Sequence, residues 1–143
     1  MKQIETEILI KAKPERVWDI LANFEDHPKW NPFIRSITGK KEVGEKITVT
    51  LQPPNSSSMT IKPVILAFNP GNEFRWKGKL GIRGIFDGEH YFKLIEQGKV
   101  ETKFIHGEKF KGIMVPLVGK TLNKTEEGFE LMNRSLKEES EKD

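Results

Sequence analysis

Two stretches carry acid–base residue types at close spacing: Gly88-Glu89-His90-Tyr91-Phe92 and Phe104-Ile105-His106-Gly107-Glu108. In a strand, successive side chains point to opposite faces. Phe86, Gly88, His90, Phe92 and Leu94 then share one face, and Asp87, Glu89, Tyr91 and Lys93 the other. In the following stretch Val100, Thr102, Phe104, His106, Glu108 and Phe110 share a parity, which sends His106 and Glu108 to the same inward side as His90. Two imidazoles and a carboxyl among phenylalanines are candidate catalytic residues, because burial shifts their pKa values and lets them protonate or orient a ligand. The same set also describes a satisfied polar network or a cavity rim, since buried polar groups bond to one another. Both readings stay open.

Other chemistries find less support. Cys is absent, which removes disulfides, thiolate metal sites and a Cys nucleophile. His27 lies in a Pro-rich bend and no HxH or HxxxH spacing exists, so no metal and no cofactor is expected. Gly78-Lys79-Leu80-Gly81-Ile82-Arg83-Gly84 is not a phosphate loop, because strand pattern instead of a helix follows it. It reads as a mobile hairpin over a cavity mouth, as does Gln52-Pro53-Pro54-Asn55-Ser56-Ser57-Ser58, whose composition promises little order.

The elements that must position these residues follow from periodicity. Ile4, Ile8 and Ile10 on one parity mark a first strand, and Pro14-Glu15 opens a short amphipathic helix whose Trp18 faces the core. His27 to Phe33 forms a second helical turn or tight bend delivering Trp30 to the interior. Strand composition then recurs at Phe33–Ile37, Lys46–Leu51, Met59–Phe68, Glu73–Lys77, Ile85–Glu96 and Lys99–Phe110, with short joints that favour an antiparallel meander. From Pro116, Val118, Leu122, Thr125, Phe129, Met132 and Leu136 recur at three- and four-residue steps, which predicts one long helix. Gly119 and Gly128 inside it each cost about 1 kcal/mol relative to Ala, and the tail from Glu138 should fray. The expected fold class is α+β, about seven antiparallel strands around one long C-terminal helix, as a single domain over residues 1–143.

This order resembles the helix-grip fold of the START and birch-pollen-allergen (SRPBCC) superfamily, in its polyketide cyclase/dehydrase and lipid-transport branch. The phrases that carry the resemblance are Pro14-Glu15-Arg16-Val17-Trp18, Pro28-Lys29-Trp30-Asn31-Pro32-Phe33, Gly88-Glu89-His90-Tyr91-Phe92-Lys93-Leu94 and His106-Gly107-Glu108-Lys109-Phe110-Lys111-Gly112. The glycine-rich loop of plant members is reduced here to Gly39-Lys40-Lys41-Glu42-Val43-Gly44, a departure that bears on any plant-type ligand. The resemblance implies a cavity between sheet and last helix that takes lipids, sterols, polyketides or other apolar molecules.

The expected function is therefore binding, transport or sensing of a small hydrophobic ligand. Trp76, Phe86, His90, Phe92, Phe104, His106, Phe110, Val118, Leu122, Phe129 and Met132 are the candidate ligand contacts, each of which also serves as a core residue in the plainer reading. The alternatives are a cyclase or dehydratase using His90, His106 or Glu108, and a protein-interaction module related to co-chaperones. The 24 Lys and Arg against 21 Asp and Glu give +3, without the basic stripe that nucleic acid requires. No apolar run reaches a membrane span and the N-terminus carries acids, so a cytoplasmic protein, monomeric or weakly dimeric, is expected.

Overall fold

A computed structural model describes residues 2–79, 87–112 and 119–142. The chain runs β1 (Lys2–Ile10), α1 (Pro14–Ala22), a 3-10 turn (Phe24–Asp26), α2 (His27–Trp30), β2 (Ile34–Gly39), β3 (Ile47–Leu51), β4 (Met59–Ile61), β5 (Val64–Asn69), β6 (Glu73–Lys79), β7 (Asp87–Gln97), β8 (Glu101–Lys111) and α3 (Gly119–Ser140). One antiparallel sheet has the order β1-β8-β7-β6-β5 and a second the order β2-β3-β4. The long strand expected from Met59 to Phe68 is two strands, one in each sheet. Pro63 lacks an N–H and cannot continue a ladder, so the chain changes sheets there. The sheets stay joined at that corner, where Ile47 N–H donates to the Pro63 carbonyl at 2.9 Å and Ile65 N–H to Glu45 at 3.0 Å.

Helix α3 lies on the inner face of the larger sheet. Phe129, Met132 and Leu136 are fully buried along its stripe, each contributing about 1.5–3 kcal/mol by burial. Gly128 is more than a propensity cost: a Cβ there would sit 2.6 Å from the Phe33 ring, so glycine permits this close approach. Gly119 opens the described helix instead of interrupting it, and the expected start at Pro116 with Val118 lies outside the described residues. α3 continues past Glu138 to Ser140, where the tail was expected to lose its helical order. The Arg16 guanidinium donates to the carbonyls of Ser140 at 2.8 Å, Lys142 at 3.1 Å and Glu139 at 3.3 Å, collecting carbonyls that a helix end leaves free.

The loop after β3 is also held. Gln52 donates from Nε2 to the Ser56 carbonyl, and Lys124 of α3 donates to the Asn55 carbonyl at 3.2 Å. The hairpin expected at Leu80 to Gly84 lies outside the described residues. Trp18 is buried as expected, whereas Trp30 is only half-buried against the core. Tyr91, on the outer face by parity, is 1% exposed because its ring covers Gly107, where any Cβ would collide with it. Its hydroxyl donates to Glu5 at 2.7 Å and accepts from Gln3 at 2.7 Å.

Candidate functional site

The β7–β8 register places His90 opposite Glu108 and Phe92 opposite His106, so the two histidines lie diagonally on the inner face. That register follows from the hairpin turn, where Gly98 takes φ 62°. Glu108 Oε1 is 3.2 Å from His90 Nδ1, and the two Nε2 atoms of His90 and His106 are 2.7 Å apart. His106 Nδ1 meets Asn133 Oδ1 of α3 at 2.9 Å, and Asn133 Nδ2 donates to Thr6 Oγ1 of β1 at 2.8 Å. Thr6 donates in turn to the His106 carbonyl at 2.9 Å. Five side chains from four elements thus form one continuous buried chain.

Burial dominates the cost of a charge in this chain, and the hydrogen bonds of His106 to Asn133 and to the Phe129 backbone offset it only in part. Burial lowers His90 to about 3, and burial with the neighbouring His90 holds His106 well below its usual value. Burial raises Glu108 to about 8, so at neutral pH the carboxyl is mostly protonated. His27, the third histidine, sits apart: its Nε2 is 2.7 Å from the Leu21 carbonyl and its Nδ1 3.0 Å from the Asn31 amide. Among the described residues no group of three His, Asp or Glu is arranged to hold a metal.

Aromatic rings surround the chain. Trp76 stacks on His90 with centroids 4.7 Å apart, and Phe92 lies 4.8 Å from His90 and 4.7 Å from His106. Phe129 stacks on His106 at 4.0 Å, and Phe33 reaches Phe129 at 5.4 Å. At the level of the histidines the space between sheet and helix is therefore filled by rings. The Trp76, Phe92, Phe104, Phe110, Leu122 and Met132 candidates are all buried in this core. Phe86 and Val118 lie outside the described residues. A groove of about 330 Å³ lies elsewhere, lined by Pro14, Glu15, Trp18, Asp19, Asn72 and Glu96, and includes none of the candidate contacts.

Asn133 and Thr6 complete the chain without having been singled out in the sequence. Both left a signal there. Thr6 shares the inward parity of Ile4, Ile8 and Ile10, and Asn133 sits four residues after Phe129 in the apolar stripe of α3.

Solved structures resemble this fold across nearly the whole chain. Protein MLL2253 from Mesorhizobium loti is 15% identical, with a TM-score of 0.77 and coverage of 96% of this chain and 95% of that one. The Zhui aromatase/cyclase from Streptomyces sp. R1128 is 11% identical, with a TM-score of 0.75 and coverage of 98% and 93%. A START superfamily protein from Mycobacterium smegmatis is 16% identical, with a TM-score of 0.75 and coverage of 97% of both chains. At these identities the likeness establishes the helix-grip fold alone. No curated protein matches the sequence. The family described as polyketide cyclase / dehydrase and lipid transport matches residues 1–141, and the chain belongs to that family.

Proposed function

We propose that this protein is a single-domain carrier or sensor that binds a small apolar molecule between the inner sheet face and α3. The observation that carries the reading is the carboxyl of Glu108 on an otherwise aromatic wall. Among the described residues it makes one hydrogen bond, through Oε1, and its Oε2 is left to a ligand or water. Glu108 is 4% exposed against 1% at His90 and 0% at His106, and in this reading the ligand meets the wall at the Glu108 end. Trp76, opposite His90 across the sheet, and Phe110, two residues beyond Glu108, supply apolar surface beside it, which is the composition of a small-molecule site.

Native mass spectrometry of gently purified protein, followed by titration with the fluorescent probe ANS and competition by fatty acids, sterols and aromatic polyketides, tests the reading. A co-purifying mass, or saturable and competable binding near one equivalent, supports it. Absence of both sinks it.

A second reading is favoured by the contact between Glu108 and His90: a carboxyl that titrates near 8 is poised for acid–base work of the cyclase or dehydratase type. Replacing His106 by Gln separates the two. Binding survives in a carrier, whereas an enzyme that relays protons through His106 loses about 10²-fold or more in turnover.

A further inference from the structure

The buried chain has a direction, and the direction fixes what its open end offers a ligand. A carbonyl only accepts, so the single hydroxyl proton of Thr6 is committed to the His106 carbonyl. Thr6 Oγ1 must then accept from Asn133, which turns the amide nitrogen of Asn133 toward Thr6 and its oxygen toward His106. An amide oxygen also only accepts, so His106 carries its proton on Nδ1 and, when neutral, leaves Nε2 bare. The 2.7 Å contact between the rings then requires His90 to donate from Nε2, which leaves His90 Nδ1 bare. Glu108 must be the donor at the last contact, with its proton on Oε1.

The opposite direction fails on two counts. It would rotate the Asn133 amide and take the Thr6 hydroxyl off the His106 carbonyl, and it would leave Glu108 only accepting at Oε1, either as a buried carboxylate or as an acid whose proton on Oε2 has no partner. A distribution with an imidazolium at His106 and a carboxylate at Glu108 keeps the amide in place but desolvates two charges held apart by His90. Burial opposes both charges.

We infer that Glu108 presents a bare carbonyl oxygen, Oε2, to the interior site, so that the site selects apolar molecules carrying a hydroxyl donor over otherwise equal molecules that lack one. This rests on the ligand-binding reading above. A phenol, an enol or an alcohol donates to Oε2, while an ether or ketone finds an acceptor facing an acceptor. The chain from Asn133 acts as a positioning device: it holds the carboxyl proton on the far oxygen and thereby sets the polarity of the near one.

The test compares 2-naphthol with 2-methoxynaphthalene, which differ in that one proton, by fluorescence titration of the full chain at neutral pH. One neutral hydrogen bond of about 1 kcal/mol gives the naphthol about a fivefold preference. Glu108→Gln keeps that preference, because its amide donates to His90 Nδ1 and turns its oxygen to the ligand as the protonated acid does. Glu108→Leu abolishes the preference while both probes still bind. Equal affinity for the two probes in the unaltered protein, or loss of the preference in Glu108→Gln, overturns the inference and leaves the ligand-binding reading standing. Failure of both probes to bind overturns the inference, and the co-purification and ANS competition then decide the ligand-binding reading separately. Long-range proton–nitrogen spectra of the ligand-free protein give a readout independent of binding. His106 appears as the Nδ1–H tautomer and His90 as the Nε2–H tautomer, and the reverse assignment contradicts the direction of the chain.

Discussion

His106 of β8 and Phe129 of α3 stack face to face, with ring centroids 4.0 Å apart and planes 12° from parallel. The stack joins helix to sheet beside the 2.9 Å contact from His106 to Asn133, one turn further along the helix. Shape and polarity therefore register α3 on the sheet at the same point.

Phe129→Ala removes one side of the stack from a fully buried position. The expected loss is about 3–5 kcal/mol, the range for deleting a buried phenyl group, read as a lower midpoint in urea denaturation. A loss below about 1 kcal/mol would show that the stack is not part of the core.

Gly128→Ala sets two effects against each other. Helix propensity favours Ala by about 1 kcal/mol, but the new Cβ would lie 2.6 Å from one Phe33 carbon and 2.9 Å from the next. Phe33 is 2% exposed among other rings and has little room to yield, so overpacking wins by about 1–3 kcal/mol. Thermal unfolding checks the sign: a lower Tm is expected, and a higher one would refute the close approach.

Stability follows the titration of the buried groups. Burial holds His27 at about 4, His90 at about 3 and His106 well below 6.5, so below pH 6.5 the unfolded chain binds protons that the folded chain refuses. Stability therefore rises with pH up to about 6.5. Glu108 runs the other way, since its folded value of about 8 against 4.5 means that the folded state keeps a proton the unfolded state releases. Three histidines outweigh one carboxyl below pH 6.5. Above it the carboxyl sets the slope, and stability declines by about 1.4 kcal/mol per pH unit toward pH 8. Denaturation midpoints against pH should peak near 6.5, and Glu108→Gln should remove the alkaline decline.

Arg16→Ala releases the C-terminal carbonyls of α3. Arg16 is exposed, so the global cost is small, but local protection depends on it. Hydrogen exchange should quicken at the amides of residues 137–142 and stay unchanged at Phe129 and Met132. Unchanged exchange at the tail would mean that Glu141, bonded to the Lys11 N–H at 2.8 Å, holds it alone.

Much of the site was legible because strand periodicity is local. The shared face of His90, His106 and Glu108 needs only the alternation of side chains, and the stripe of α3 needs only its helical period. Long-range partners were not legible. Arg16 and Ser140 are 124 residues apart, Thr6 and Asn133 127, and their contacts arise from packing alone. Pro63 was visible within Met59–Phe68, yet the apolar run around it outweighed the missing N–H in the strand reading. Parity placed Tyr91 on the outer face, but parity says which face a side chain takes, not whether Gly107 leaves a hollow for it there.

The most direct test of the account is to titrate isotope-labelled protein with 2-naphthol and map the shifted side-chain signals. Saturable shifts at the Trp76 indole, the His90 and His106 rings and the Leu122 methyl groups are predicted, with the outer-face Tyr91 and Ile95 unmoved. Shifts confined to the outer face, or none that saturate, would contradict an apolar site on the inner wall.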